Sequence, residues 1–224
     1  MTRAPAPANP DAPLVLVTGF DPFDGAALNP SWEAARALHG QEIAGHRVVA
    51  GQLPTEFARS LPALEALMQA HQPRLVLCCG LAGGRPAVSL ERVAINVQDA
   101  RIPDNAGAQP VDEPVVAETG APAAYFSTLP IKAMRRALQE AGIPAEVSQT
   151  AGTFVCNQVF YGLMHHLARR GPPGARGGFA HLPWLPGQGE PALPLAQTVQ
   201  GLRVAIACAL TTTVDIRAEG GALD

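Results

Sequence analysis

Two short apolar runs, each closed by a glycine, set the first limit on the fold. Leu14-Val-Leu-Val-Thr18 stops at Gly19, and Leu75-Val-Leu-Cys-Cys79 stops at Gly80. A strand with one face in water alternates apolar and polar side chains. A run without alternation fits a strand covered on both faces, as in a parallel sheet flanked by helices.

The segments between these runs read as helices. Asn29-Pro30-Ser31-Trp32-Glu33 supplies a capping side chain, a proline tolerated in a first turn and an early acid, with Ala34, Ala35 and Leu38 continuing at helical spacing. A strand is expected near Arg47 to Leu53 and a helix near Glu56 to Ala70. Further on, Ile131 to Ala141 forms an amphipathic helix closed by Gly142, Ala145 to Ser148 a short strand, and Asn157 to Arg170 a helix. Gly177 to Pro183 reads as another strand and Leu195 to Leu210 as the last helix. Only the middle departs: residues 89–100 alternate through Val93, Ile95 and Val97, then enter the turn-rich Arg101-Ile-Pro-Asp-Asn-Ala-Gly107, which predicts an antiparallel excursion. The expected fold is a three-layer α/β/α sandwich with a mostly parallel, twisted sheet. It should occupy residues 14–214 as one domain, between a flexible Pro/Ala-rich tail at 1–13 and a C-terminal tail at 215–224.

Charge and composition exclude several function classes. Sixteen Lys and Arg against 19 Asp and Glu leave a net charge of −3, and the basic residues are scattered, so no phosphate-backbone footprint is present and nucleic acid is not an expected partner. No apolar stretch reaches the roughly 18 residues of a membrane span, and the first residues lack a signal-peptide core. A cytoplasmic protein is expected. Four cysteines, two of them adjacent at 78 and 79 in an apolar run, do not make a disulfide framework. There is no paired CxxC, and His165 and His166 point to different sides of a helix, so neither metal nor cofactor is expected.

Cys156 carries the strongest chemical signal. It lies in Ser148-Gln-Thr-Ala-Gly-Thr-Phe-Val-Cys156-Asn157, where a turn hands over to a helix. The unpaired N–H groups and partial positive charge of a helix start favour the thiolate, the nucleophilic form. A free cysteine also has a structural reading as a small buried hydrophobe, and Cys78, Cys79 and Cys208 are read that way. A thiolate nucleophile needs a base, and the base a group that orients it. His181 ends an apolar strand, where side chains reach the carboxyl-end crevice of an open α/β sheet. Glu91 follows the glycine-rich Gly80-Leu-Ala-Gly-Gly-Arg85 loop inside an otherwise apolar stretch, and a carboxylate there needs a partner. Backbone N–H groups of that loop, or of the helix start at Cys156, could hold an oxyanion.

Together these segments resemble the pyroglutamyl peptidase I family, also called pyrrolidone-carboxylate peptidases. Gly19-Phe-Asp-Pro-Phe23 with Asn29-Pro-Ser31 is similar to the family's first signature. Gly80 to Arg85 through Glu91-Arg-Val-Ala-Ile-Asn96 is similar to the second, and Arg101 to Gly107 to the segment after it. Ala151 to Asn157 resembles the nucleophile signature and Phe179-Ala-His181-Leu-Pro183 the histidine one. The resemblance runs in order from about Leu14 to Leu210. It implies a cofactor-free cysteine exopeptidase that hydrolyses the amide bond after an N-terminal pyroglutamyl residue of peptides. Cys156 would be nucleophile, His181 base and acid, and Glu91 the orienting carboxylate. Phe20, Phe23 and Phe154 would enclose the lactam, with Val155 and Leu81 also at the substrate. Homodimers or homotetramers are implied as well. Two positions depart from the family: Leu81 stands where a glutamine is usual, and Asp24 where a glycine is frequent. The first raises a related cysteine amidohydrolase with shifted acyl specificity as an alternative; a non-catalytic lactam-binding protein is another.

Overall fold

The computed structural model describes residues 12–221, so most of the expected N-terminal tail and the last three residues lie outside the described residues. The chain runs β1 (Leu14–Phe20), α1 (Pro30–Leu38), β2 (Glu42–Ile43), β3 (His46–Leu53), α2 (Phe57–His71), β4 (Leu75–Leu81), β5 (Val88–Glu91), β6 (Val93–Ile95) and β7 (Ala124–Phe126). It continues through α3 (Ile131–Glu140), β8 (Ala145–Ser148), α4 (Val155–Arg170), β9 (Arg176–Leu182) and α5 (Leu195–Thr211). Seven strands form one sheet in the order β2-β3-β1-β4-β9-β5-β8. Its centre, β3-β1-β4-β9, is parallel; β5 runs antiparallel to β9 and parallel to β8.

The two glycine-closed runs are the central strands β1 and β4, and both faces of each are buried. Val15, Val17, Leu75, Leu77, Ala180 and Leu182 face a core shared with α1, α3 and α5. Leu16, Val76, Cys78 and Phe179 face a second core shared with α2 and α4. Removing one such Leu or Phe side chain from water contributes roughly 1.5–3 kcal/mol, which outweighs any polar alternation at these positions.

The alternating segment at 89–100 divides at Arg92. Residues before it form β5 in the main sheet, whereas β6 leaves to pair antiparallel with β7 in a separate two-stranded sheet. Asn157 on α4 ties down this excursion: its Oδ1 accepts from Ile95 N at 3.0 Å, and its Nδ2 donates to the carbonyls of Ile95 and Val97, both at 2.9 Å. The excursion in turn closes α2. No side chain of its own caps that helix, but Asp104 Oδ2 accepts from Phe57 N at 2.7 Å.

The start of α1 seats directly on β1. A methyl group on Gly19 would stand 2.4 Å from the Ser31 backbone, so only glycine allows this approach. Asn29 caps the helix by accepting from Ser31 N at 3.1 Å, and Ser31 Oγ accepts from Phe20 N at 2.9 Å. The capping group and the aromatic residue at the end of β1 are thereby fixed to each other.

Candidate active site

Strand register brings three of the sequence-predicted residues to one place. Gly80 on β4 pairs with His181 on β9, and His181 pairs with Ser89 on β5. Paired residues share a sheet face, and alternation puts Gly80 with Cys78, His181 with Phe179, and Glu91 with Ser89. This is the face covered by α2 and α4. α4 begins at Val155, so Cys156 is its second residue. Its sulfur lies over Gly80, 2.7 Å from where a methyl group on that glycine would be.

His181 Nδ1 lies 2.7 Å from Glu91 Oε1. A carboxylate only accepts, so Nδ1 donates and Nε2 is left as the basic nitrogen on the sheet face that carries the thiol. The imidazole is 5% exposed and Glu91 is not exposed at all. The Phe179 ring, with its centroid 4.9 Å from that of His181, supports one side of the imidazole. Arg85 Nη1 also donates to Glu91 Oε1, at 2.8 Å. Glu91 Oε2 is buried without a partner among the described residues, so both bonds to the carboxylate run through one oxygen.

Burial pushes the Cys156 thiol up to about 12; the Glu91 charge adds to this, and the Arg85 guanidinium and the residue's own backbone N–H oppose it. The helix start therefore does not by itself hold a thiolate, in contrast to the sequence expectation. Desolvation costs the charged sulfur more than the first-turn dipole returns, because a helix terminus contributes roughly 0.3–1 kcal/mol. Cys156 and His181 both lie against Gly80, the first through its sulfur and the second through strand pairing. Helix α4 still offers unpaired donors: no side chain caps it, and its first internal bond is from Gln158 N to Phe154 O at 3.2 Å. The N–H groups before Gln158 point out of the helix end.

A cavity of about 520 Å3 opens beside Cys156 and is lined by Phe20, Phe23, Phe154, Leu81 and Trp184. Phe154 is held by two aromatic neighbours, Phe23 at 5.3 Å and Phe57 at 5.2 Å between centroids, the latter edge to face. Of the five residues expected at the substrate, four line this cavity. Val155 does not: its side chain is fully buried in the core under α4. Asp24 and Arg101 bring opposite charges to the cavity wall.

Sequence reasoning assigned no role to Arg85 or Trp184. Arg85 is a lone cation closing a glycine-rich loop six residues before a buried acid, which is a readable signal. Trp184 has none; it lines the cavity because Gly83 lets the indole approach to where a methyl group would be 2.3 Å away. Among the described residues no group of three or more His, Cys, Asp or Glu gathers as a metal site, and no helix is long and apolar enough to cross a membrane.

Comparison with known proteins places this geometry. The family model described as pyroglutamyl peptidase matches residues 14–212. The pyrrolidone-carboxylate peptidase of Cupriavidus taiwanensis is 56% identical over 216 residues, covering 94% of this chain and 99% of the relative. That of Klebsiella pneumoniae is 57% identical over 213 residues, covering 93% and 98%. The crystal structure of pyroglutamyl peptidase I from Bacillus amyloliquefaciens superposes with a TM-score of 0.89 at 45% identity, covering 93% of this chain and all of that one.

Proposed function

We infer the division of labour in this site from the premise that the chain belongs to the pyroglutamyl peptidase family, cysteine peptidases that remove N-terminal pyroglutamate. Cys156 is the nucleophile, His181 the base and then the acid, and Glu91 the group that orients His181. The 2.7 Å bond between His181 Nδ1 and Glu91 Oε1 carries this reading, because it fixes the tautomer in which Nε2 can take a proton.

The neutral thiol gives its proton to His181 Nε2 as sulfur attacks the pyroglutamyl carbonyl carbon. Charge is then created together with the new C–S bond rather than stored beforehand. The carbonyl oxygen becomes an oxyanion held by backbone N–H groups at the start of α4. As the C–N bond breaks, the imidazolium returns its proton to the departing amine. Water, deprotonated by His181, then attacks the thioester carbon, and the thiol leaves as pyroglutamate is released.

Substrate choice follows from the cavity wall. Phe20, Phe23 and Phe154 offer apolar surface to a flat, uncharged lactam ring. An ordinary N-terminal ammonium would be stripped of water there without a buried carboxylate to pair with, which penalises unblocked peptides. The four cysteines are free, which favours a reducing, cytoplasmic setting. The exposed Phe126 and Val214 offer apolar contact area for the homodimer or homotetramer.

Hydrolysis of pyroglutamyl-aminomethylcoumarin by the wild type and by Cys156→Ala tests the assignment. Wild-type turnover with none in the variant is expected; equal rates in both would remove Cys156 as nucleophile.

A further inference from the structure

The geometry points to Arg85 as a positioning residue for the reaction, acting through Glu91, with the segment that leads to the nucleophile holding its guanidinium in place. The inference rests on the roles given above to Glu91, His181 and Cys156.

Arg85 joins three parts of the site. Its Nη1 donates to Glu91 Oε1 at 2.8 Å, the same oxygen that accepts from His181 Nδ1. The same Nη1 lies 3.3 Å from Ser148 Oγ, and Nη2 donates to Thr150 O at 3.3 Å. Ser148 closes β8, and residues 148–154 carry the chain from there to the first turn of α4. One guanidinium thus spans the acid on β5 and the connection leading to Cys156.

The loop that presents Arg85 is itself held. Ala82 N donates to Leu182 O at 3.0 Å, Arg85 N donates to Ala82 O at 3.3 Å, and Gly84 adopts a φ of +85° that makes the turn. Leu182 is the residue after His181, so the loop is anchored to the strand that carries the base.

Burial explains why the acid needs this cation. Glu91 has no exposure and its Oε2 has no partner among the described residues. A buried carboxylate facing only an imidazole lacks a permanent counter-charge whenever that imidazole is neutral. Arg85 supplies one throughout the cycle, since a guanidinium does not deprotonate. Its side chain is 30% exposed, so the cation keeps much of its own hydration while serving a buried acid.

The test is the steady-state kinetics of Arg85→Met, Arg85→Lys, Glu91→Gln and the double variant Arg85→Met/Glu91→Gln with pyroglutamyl-aminomethylcoumarin, alongside urea unfolding. Arg85→Met should lower kcat about 10- to 100-fold while KM changes less than about twofold, because misplaced groups slow the chemical step without emptying the lactam pocket. Arg85→Lys, which keeps the charge, should retain more kcat than Arg85→Met. The double variant should be no slower than Glu91→Gln alone, since a neutral amide leaves no charge for Arg85 to hold. A kcat for Arg85→Met within about twofold of wild type, or losses that multiply in the double variant, would overturn the inference. If Glu91→Gln is impaired and Arg85→Met is not, only the role of Arg85 falls; if Glu91→Gln keeps wild-type kcat, the role of Glu91 falls and that of Arg85 with it. Should Arg85→Met fail to fold, Arg85→Gln, long and neutral, replaces it under the same criteria.

Discussion

Gly80 lies directly beneath the sulfur of Cys156, so close that a methyl group on its Cα would stand 2.7 Å from Sγ and 2.9 Å from Cζ of Phe179. Hydrogen is the only substituent that leaves the thiol in place above β4. Since Gly80 pairs with His181, the same absence of a side chain keeps clear the space beside the imidazole.

Gly80→Ala should therefore cost activity out of proportion to stability. Overpacking of this size destabilises by about 1–3 kcal/mol, whereas a displacement of the thiol by about 1 Å costs on the order of 100-fold in rate. Turnover of the fluorogenic amide and alkylation by iodoacetamide should both slow, with urea unfolding showing a folded protein. An active, normally alkylated Gly80→Ala protein would mean that Sγ has freedom the packing does not suggest.

Alkaline pH should destabilise the fold through its buried thiols. Cys78 has no exposure, and burial raises it from 9.0 to about 12. Below pH 9 both folded and unfolded chains keep this proton. Between 9 and 12 the unfolded chain loses it and the folded one does not, so stability falls by about 1.4 kcal/mol per pH unit for this thiol. Urea unfolding at pH 8, 9 and 10 should show the decline, and Cys78→Ala, although less stable at every pH, should show a shallower one. Parallel slopes would place the alkaline sensitivity elsewhere.

Leu81→Gln should tighten substrate binding. Leu81 lines the cavity at the end of β4 and offers the polar edge of a lactam no hydrogen bond. Restoring an amide should contribute about 0.5–1.5 kcal/mol, which lowers KM roughly 2- to 10-fold with kcat little changed. An unchanged KM would show that backbone groups already satisfy the lactam.

Much of this architecture was legible because its signals are local. Unalternated runs ending in glycine identified β1 and β4, since burial on both faces leaves no reason for polar positions. Cys156, His181 and Glu91 could be singled out because the first stands at a helix start, the second ends an apolar strand and the third is a carboxylate in an otherwise apolar stretch. What could not be read depends on register between distant segments. Asn157 binds the backbone of Ile95 and Val97, Asp104 closes α2, and Asp215 accepts from the first N–H groups of α3, Lys132 at 3.0 Å and Ala133 at 2.9 Å. No spacing rule links residue 57 to 104 or 132 to 215. The upward push on the Cys156 thiol could not be read for a related reason: the helix start is visible in sequence, but the packing around the sulfur and the Glu91 charge near it are not.

The position of β9 bears on when activity can arise. This strand, the last of the described sheet in sequence order, is inserted between β4 and β5, which follow each other in sequence but are two strand spacings apart in the sheet. During synthesis the ribosome releases the thiol of Cys156 well before the imidazole of His181, and the acid, already made, has no neighbour to orient. A chain halted before β9 thus carries the proposed nucleophile with neither its proposed base nor a finished sheet beneath it. On the roles proposed above, hydrolytic competence comes only as this central gap is filled, so a chain without β9 is inert toward its surroundings.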